Sequence, residues 1–271
     1  MPELPEVETI TRGLAARLSG RRIVALEQRR PDLRFPLPER LAARLEGRRV
    51  EAFARRGKFI LATLDDGWTL LLHLGMSGRL VLDGAPRGPH EHLTFRFEDG
   101  STLRFVDPRR FGMLDLWPHE RLAEHPQLRA LGVEPLAPEF DGPRLEGLLR
   151  GRRTPLKSAL MDQRLLVGIG NIYANEALFR ARLSPRRLAG SIGPTRAARL
   201  VRAIRETLEA AIAKGGTSLR DYVQANGELG NFQNDFAVYE RAGAPCPACG
   251  RPIRRIVQAG RATYFCPRCQ R

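Results

Sequence analysis

Val7, Ile10, Leu14 and Leu18 recur every three or four residues behind Pro2 and Pro5, which predicts an amphipathic helix starting near Leu4 or Pro5. From Arg22 to about Leu116 the apolar runs shorten. The runs 23–26, 49–53, 59–64, 69–74, 93–97 and 102–106 read as strands separated by turn residues. Asp65-Asp66-Gly67 and Glu98-Asp99-Gly100 mark hairpins. So many short strands at close spacing predict an antiparallel sandwich. Residues 37–45 fit one amphipathic helix between strands.

The pattern changes after Pro135–Pro143, whose prolines and Gly142 read as a linker. Leu156, Leu160 and Met161 suggest one helix. Val167-Gly168-Ile169-Gly170-Asn171 interrupts it, and Ile172, Ala177, Leu178 and Phe179 resume at helical spacing. Two helices joined by such a turn present backbone N–H groups to a phosphate, and Asn171 is placed as the N-cap of the second. A long helix over 195–214 turns Leu200, Ile204, Leu208, Ala211 and Ile212 inward and ends at Gly215-Gly216. Residues 217–233 have no clear period and read as a mobile loop. Near the C-terminus, the strand-like runs 254–258 and 262–265 flank Ala259-Gly260-Arg261, a hairpin with Arg261 at its tip. The fold class expected is α+β, an N-terminal antiparallel β-sandwich with flanking helices followed by a helical domain.

Composition adds a partner. The formal charge is +15, and all but three of the 45 basic residues are arginines. That balance points to a polyanion, most simply nucleic acid, and guanidinium pairs with phosphate bidentately. No apolar run approaches the roughly 18 residues of a membrane span, and Glu3 and Glu6 do not suit a basic signal-peptide start. A cytoplasmic protein is expected. All four cysteines fall in the spacing Cys246-x2-Cys249-x16-Cys266-x2-Cys269, which fits one structural zinc ion held by four thiolates better than two disulfides. With that ion the C-terminal hairpin becomes a zinc finger suited to a nucleic-acid groove.

The first six residues carry candidate chemistry. If Met1 is removed, Pro2 becomes an N-terminal secondary amine beside Glu3. A chain-terminal amine titrates at about 7.7–8.0, against about 10.4 for lysine, so a useful fraction is nucleophilic at neutral pH. Its attack on a sugar C1′ yields an iminium, an electron sink, with Glu3 available for proton transfer. The same residues also read as an ordinary helix start with acids on the helix dipole. Three further stretches sit on turns: Gly57-Lys58, Gly75-Met76-Ser77-Gly78 and Asp107-Pro108-Arg109-Arg110-Phe111-Gly112. Apolar side chains on such tips beside arginines suit insertion into a base stack. Taken singly, each is also compatible with a sheet-edge lysine or a core aromatic.

Together these segments closely resemble bacterial formamidopyrimidine-DNA glycosylase, also called 8-oxoguanine DNA glycosylase. The resemblance is carried by residues 1–8, Gly57-Lys58, 73–78, 107–112, 168–176 and the Cys246–Cys269 finger with 260–263, in order along the whole chain. Leu4 looks like this family rather than its relative endonuclease VIII, where that position is typically glycine.

The resemblance implies a repair enzyme acting on double-stranded DNA that contains oxidised purines or abasic sites. Pro2 would attack C1′ of a flipped nucleotide, Glu3 would donate a proton during ring opening, and Glu6 matches an active-site carboxylate. Lys58 would serve β-elimination. Arg261 would hold the lesion phosphate and serve δ-elimination. Met76, Arg109 and Phe111 would fill the hole left by the base. His90, Arg109, Arg152, Lys157 and Asn171 match DNA-binding positions, with Asn171 in a helix–two-turn–helix motif. Arg152-Arg153 stand where the family often has lysines. The expected division is 1–134 catalytic sandwich, 135–150 linker, 151–240 helix–two-turn–helix domain with a lesion-covering loop at 217–233, and 241–271 zinc finger. A monomer associated with the bacterial nucleoid is implied. The rival readings are an endonuclease VIII-like enzyme for oxidised pyrimidines, a zinc DNA-binding module without catalysis, and a basic zinc-ribbon protein of the translation machinery.

Overall fold

The computed structural model describes residues 1–83, 88–217 and 230–271. They form two compact units, Met1–Arg129 with Lys214–Asn231, and Ala130–Ala213 with Phe232–Arg271. No helix among the described residues is long and apolar enough to cross a membrane.

The first unit opens with α1 (Leu4–Leu18), then β1 (Ile23–Gln28), α2 (Leu41–Leu45), β2 (Val50–Arg56), β3 (Phe59–Leu64) and β4 (Trp68–His73). β5 (Arg79–Leu82), β6 (Glu91–Phe97), β7 (Thr102–Val106) and β8 (Met113–Pro118) complete it. Two four-stranded antiparallel sheets result, ordered β1-β6-β7-β5 and β2-β3-β4-β8. Alternation dictates what meets between them. Ile60, Ala62 and Leu64 of β3 and Leu70 and Leu72 of β4 share one core with Leu93, Phe95 and Phe97 of β6, Leu103 and Phe105 of β7, and the apolar face of α1. Each large side chain removed from water there contributes about 1.5–3 kcal/mol. Both expected hairpin turns form. Gly67 and Gly100 take the left-handed backbone they require, at φ +80° and +83°.

Three expectations change. Only Leu41–Leu45 of the region 37–45 is helical, because Arg40 adopts φ +54° and starts the helix late. β5 and β8 were not anticipated; both are edge strands, recognisable mainly by their partners. The tip 75–78 is not an exposed one: Gly75, Ser77 and Gly78 are buried and Met76 is half-buried.

The second unit contains α3 (Gly142–Leu149), α4 (Leu156–Leu160), α5 (Asn171–Arg180), α6 (Pro194–Ala213) and the hairpin β9 (Arg254–Gln258) with β10 (Arg261–Phe265). Helix α3 begins inside the expected linker, where Asp141 Oδ1 accepts from Arg144 N–H at 2.8 Å and caps it. α6 packs on α3 and α5, burying Leu200, Ile204, Leu208 and Ala211 while Ile212 stays half-buried. The cap of α5 is Gly170, and Asn171 is the first helical residue, one place beyond the position expected for it. Of the loop expected at 217–233, residues 218–229 lie outside the described residues, as do Gly84–Arg87.

Candidate active site and nucleic-acid interface

In the first unit the site is built on the start of α1. Pro2 is half-buried, while Glu3 and Glu6 are 4% and 2% exposed. Glu3 N–H donates to Glu6 Oε2 at 2.8 Å, fixing the chain end against the first turn. The other Glu6 oxygen accepts from Thr217 N–H at 2.9 Å. Gly216 lies so near that a Cβ there would sit 3.0 Å from Glu6 Oε1. Thr217 bridges to Asn231, whose N–H donates to Lys214 O at 3.0 Å. Thr217 and Asn231 are therefore paired with each other, and Thr217 is tied to the N-terminal helix through Glu6. Sequence reasoning missed this link, which spans more than two hundred residues. The helix is further locked to β2: Glu8 Oε2 lies 2.8 Å from Arg55 Nε. Burial raises the pKa of Glu8, but hydrogen bonds from Arg55 and Arg12 outweigh it and leave the carboxyl below its usual range.

Lys58 sits in the two-residue turn between β2 and β3, where Arg56 pairs with Phe59 and Gly57 supplies φ +57°. The turn holds it inward, 7% exposed. Burial, and then the charges of Lys58 and Arg34, pull the neighbouring His73 down to about 4. At neutral pH the imidazole is uncharged. Gly75 N–H donates to its Nδ1 at 3.0 Å, which leaves the proton on Nε2. A neutral N–H donor thus stands near the Lys58 ammonium. Its only sequence signal was its place at the head of the 73–78 motif.

Met76, Arg109 and Phe111 come from two turns that meet backbone to backbone. Gly75 is at φ +61°, and a Cβ on it would lie 2.3 Å from the Phe111 carbonyl carbon, so only glycine fits. Asp107, fully buried, welds the turns: its Oδ1 accepts from Ser77 Oγ at 2.7 Å and its Oδ2 from Gly112 N–H at 2.7 Å. Arg109 N–H reaches the same carboxylate at 3.3 Å. Phe111 is 44% exposed, with the Arg109 guanidinium 4.8 Å from its ring centroid. His90 is exposed at φ +67°, and its carbonyl accepts from Asp107 N–H at 2.9 Å. A cation, an aromatic ring and a thioether thus share one rigid edge.

In the second unit Arg152 is exposed, and its Nε–H donates to Leu148 O at 2.9 Å. Gln163, which sequence reasoning passed over, shapes the turn before α5. Its Oε1 accepts from Gly168 N–H and its Nε2 donates to Ile169 O, both at 2.8 Å. Asn171 Oδ1 is buried without a hydrogen-bond partner. Lys157 is an interior residue, 1% exposed, rather than a surface cation. Its Nζ donates to Ala262 O at 2.9 Å and Thr263 Oγ1 at 2.7 Å. Asn175 Oδ1 accepts from Tyr264 N–H at 2.7 Å, so β10 is held from α4 and α5 together. Arg261 is exposed on the first residue of β10, after a tight turn with Ala259 and Gly260 at φ +47° and +71°.

The four cysteine sulfurs lie within 4.8 Å of one another. Cys246 to Cys269 is 3.9 Å and Cys249 to Cys266 is 3.5 Å. Zn–S bonds of about 2.3 Å at tetrahedral angles place sulfurs about 3.8 Å apart, whereas a disulfide needs about 2.05 Å. The donor set fits one structural zinc ion.

Three family models cover the chain in order. The formamidopyrimidine-DNA glycosylase N-terminal domain matches residues 1–114, the formamidopyrimidine-DNA glycosylase H2TH domain 131–223, and the zinc finger found in FPG and IleRS 243–271. The chain is 55% identical over 276 residues to formamidopyrimidine-DNA glycosylase of Acidiphilium cryptum, covering all of both chains. Among solved structures, the MutM (FPG) protein of Thermus thermophilus superposes with TM-score 0.89 at 47% identity, over 99% of this chain and 98% of that one. A Lactococcus lactis FPG mutant in complex with Fapy-dG-containing DNA superposes with TM-score 0.92 at 35% identity, over 99% of each chain.

Proposed function

Because the chain belongs to the formamidopyrimidine-DNA glycosylase family, we propose that it removes oxidised purines, 8-oxoguanine and formamidopyrimidines, from duplex DNA and then cuts the strand at the abasic site it makes. The observation that carries the reading is the held start of α1, which keeps Pro2 next to two buried carboxylates in the unit that also contains Lys58. Relatives named for formamidopyrimidine excision favour this over the pyrimidine and non-catalytic readings.

The chemistry starts when Met1 is removed. The Pro2 nitrogen attacks C1′, the bond from C1′ to the purine breaks, and the base leaves with a proton. Ring opening, with Glu3 giving a proton to the sugar oxygen, converts the adduct to an iminium. The iminium acidifies C2′–H, and loss of that proton expels the 3′ phosphate; Lys58 serves this β-elimination. A second elimination expels the 5′ phosphate, with Arg261 on the phosphate, and leaves a gap. The neutral His73 N–H beside Lys58 supports a phosphate contact without adding a proton acid. Glu6 positions the chain end and the base of the segment 218–229, which covers the flipped base.

Flipping costs a few kcal/mol and is easiest at a damaged pair. Met76, Arg109 and Phe111 offset it by filling the vacated stack, with His90, Arg109, Arg152 and Asn171 gripping the backbone. Lys157 contributes from the interior, by holding the hairpin that presents Arg261. Zinc, held by Cys246, Cys249, Cys266 and Cys269, supplies the cross-link that keeps this small finger folded. We assign 1–134 as the catalytic sandwich, 135–150 as the connection, its second half being helix α3, 151–240 as the DNA-gripping helices with the lesion-covering segment, and 241–271 as the finger. The protein works as a monomer, in the cytoplasm on the nucleoid.

The test is borohydride trapping on a duplex with one 8-oxoguanine opposite cytosine, followed by mass mapping. A reduced cross-link on Pro2 is expected. A cross-link on Lys58, or none from protein lacking Met1, would overturn the assignment.

A further inference from the structure

Away from the residues assigned above, residues 184–191 and the base of the zinc finger line an open surface cavity of about 520 Å³, within the second unit. Small-molecule sites span about 300–1,000 Å³. Three guanidinium groups line it, from Arg186, Arg187 and Arg254. No carboxylate among the described residues pairs with any of them; the acids of Arg164 and Arg180, Asp162 and Glu206, lie on other elements of this unit. Nor, among the described residues, does any of the three side chains make a hydrogen bond, and Arg187 Nε is buried without a partner there.

Like charges gathered without counter-charges repel, and a buried N–H without an acceptor costs about 1–3 kcal/mol. The arrangement persists because its walls are pinned. Leu156 N–H donates to Arg187 O at 2.7 Å, Gln258 Nε2 to Pro185 O at 3.2 Å, and Gln270 Nε2 to Leu183 O at 3.0 Å. The backbone around the site is therefore fixed, with Arg186, Arg254, Leu188 and Ser191 exposed on it and Arg187 half-buried. Its chemistry is two-sided. The arginines share the site with Leu188, which is 53% exposed, and with the edge of the buried Phe265, while the Ser191 hydroxyl is already donated to Leu188 O at 2.8 Å. Guanidinium groups match phosphate oxygens, and an apolar wall suits the sugar or base attached to it.

We propose that this cavity is a second phosphate-binding site, taking the phosphate of a nucleotide with its sugar or base against Leu188. Two sources share that chemistry: a nucleotide of the bound DNA flanking the lesion, and a free mononucleotide. Neither requires excision activity.

The full chain with zinc is titrated with inorganic phosphate and with deoxyadenosine monophosphate, following amide NMR signals of residues 184–191. An R186A/R254A variant is compared with R196A/R199A, which removes the same charge from exposed positions on α6. The cavity variant should lose at least about tenfold in affinity, about 1.4 kcal/mol, while the α6 variant changes little. Equal losses in the two variants, or shifts that never reach residues 184–191, would overturn the site. The source is read from lesion duplexes, one just covering the lesion and one extended on both sides. A salt slope lowered by about one on the extended duplex alone assigns the phosphate to flanking DNA. Unchanged slopes with lost mononucleotide binding assign it to a free nucleotide.

Discussion

Replacing Asp107 with asparagine should uncouple base extrusion from the chemistry that follows. The carboxylate is fully buried and holds the two turns that carry Met76, Arg109 and Phe111, the proposed wedge, through Ser77 Oγ and Gly112 N–H, both at 2.7 Å, with Arg109 N–H at 3.3 Å. Bonds to a buried charged acceptor are worth about 1.5–3 kcal/mol each. Alanine at 107 would therefore remove roughly 3–5 kcal/mol, a large share of a domain's stability. Asparagine keeps one acceptor oxygen and turns an NH2 toward a donor, a loss of about 1–3 kcal/mol. Urea unfolding measures that loss, and the Asn variant should remain folded. Single-turnover excision of 8-oxoguanine from an intact pair should slow by about ten- to a hundredfold, because 1.4 kcal/mol at the wedge is a factor of ten. Strand cutting at a pre-formed abasic site has no base to extrude and should stay near the wild-type rate. Equal slowing on both substrates, or on neither, would refute the claim that Asp107 acts by setting Met76, Arg109 and Phe111.

Three further outcomes are expected. Cys249→Ser should release zinc and abolish tight DNA binding while the sandwich stays folded, checked by metal analysis and circular dichroism; tight binding by metal-free protein would contradict it. Lys157→Met should loosen β10 and weaken the Arg261 contact, seen as faster amide exchange at Ala262 and Thr263 and as less of the fully eliminated gap product; unchanged exchange would count against the clamp. His73, at about 4 in the folded chain against about 6.5 unfolded, binds its proton more tightly when unfolded. Its contribution is thus fully present above pH 6.5 and is lost as pH falls toward 4, up to about 3 kcal/mol. His73→Gln should flatten stability against pH in that window, and an unaltered slope would show that another group titrates there.

Much of this molecule was legible in one dimension. Strands β3 and β7 occupy the predicted residues because their alternation is bounded by strong turn signals. The finger was legible because four thiolates at that spacing have few other uses. Edge strands β5 and β8 were not legible: short strands at a sheet's rim owe their existence to a neighbour's hydrogen bonds, and Asp115 interrupts the apolar pattern of β8.

The site divides the same way. Candidate groups such as Pro2, Lys58 and Arg261 stand in local motifs, so their chemistry could be named from residue types and spacing. What holds them is long-range. Glu6 meets Thr217 across 211 positions, Lys157 meets Thr263 across 106, and Ser77 meets Asp107 across 30. A buried carboxylate or ammonium reads in sequence as one more charge, and only packing decides whether it faces solvent or supports a turn. Sequence by itself therefore determined the candidate reagents, the zinc ligands and the order of the elements. The tertiary structure alone decided which polar groups were buried to position them, because desolvation and hydrogen-bond partners exist only between segments brought together by the folded core.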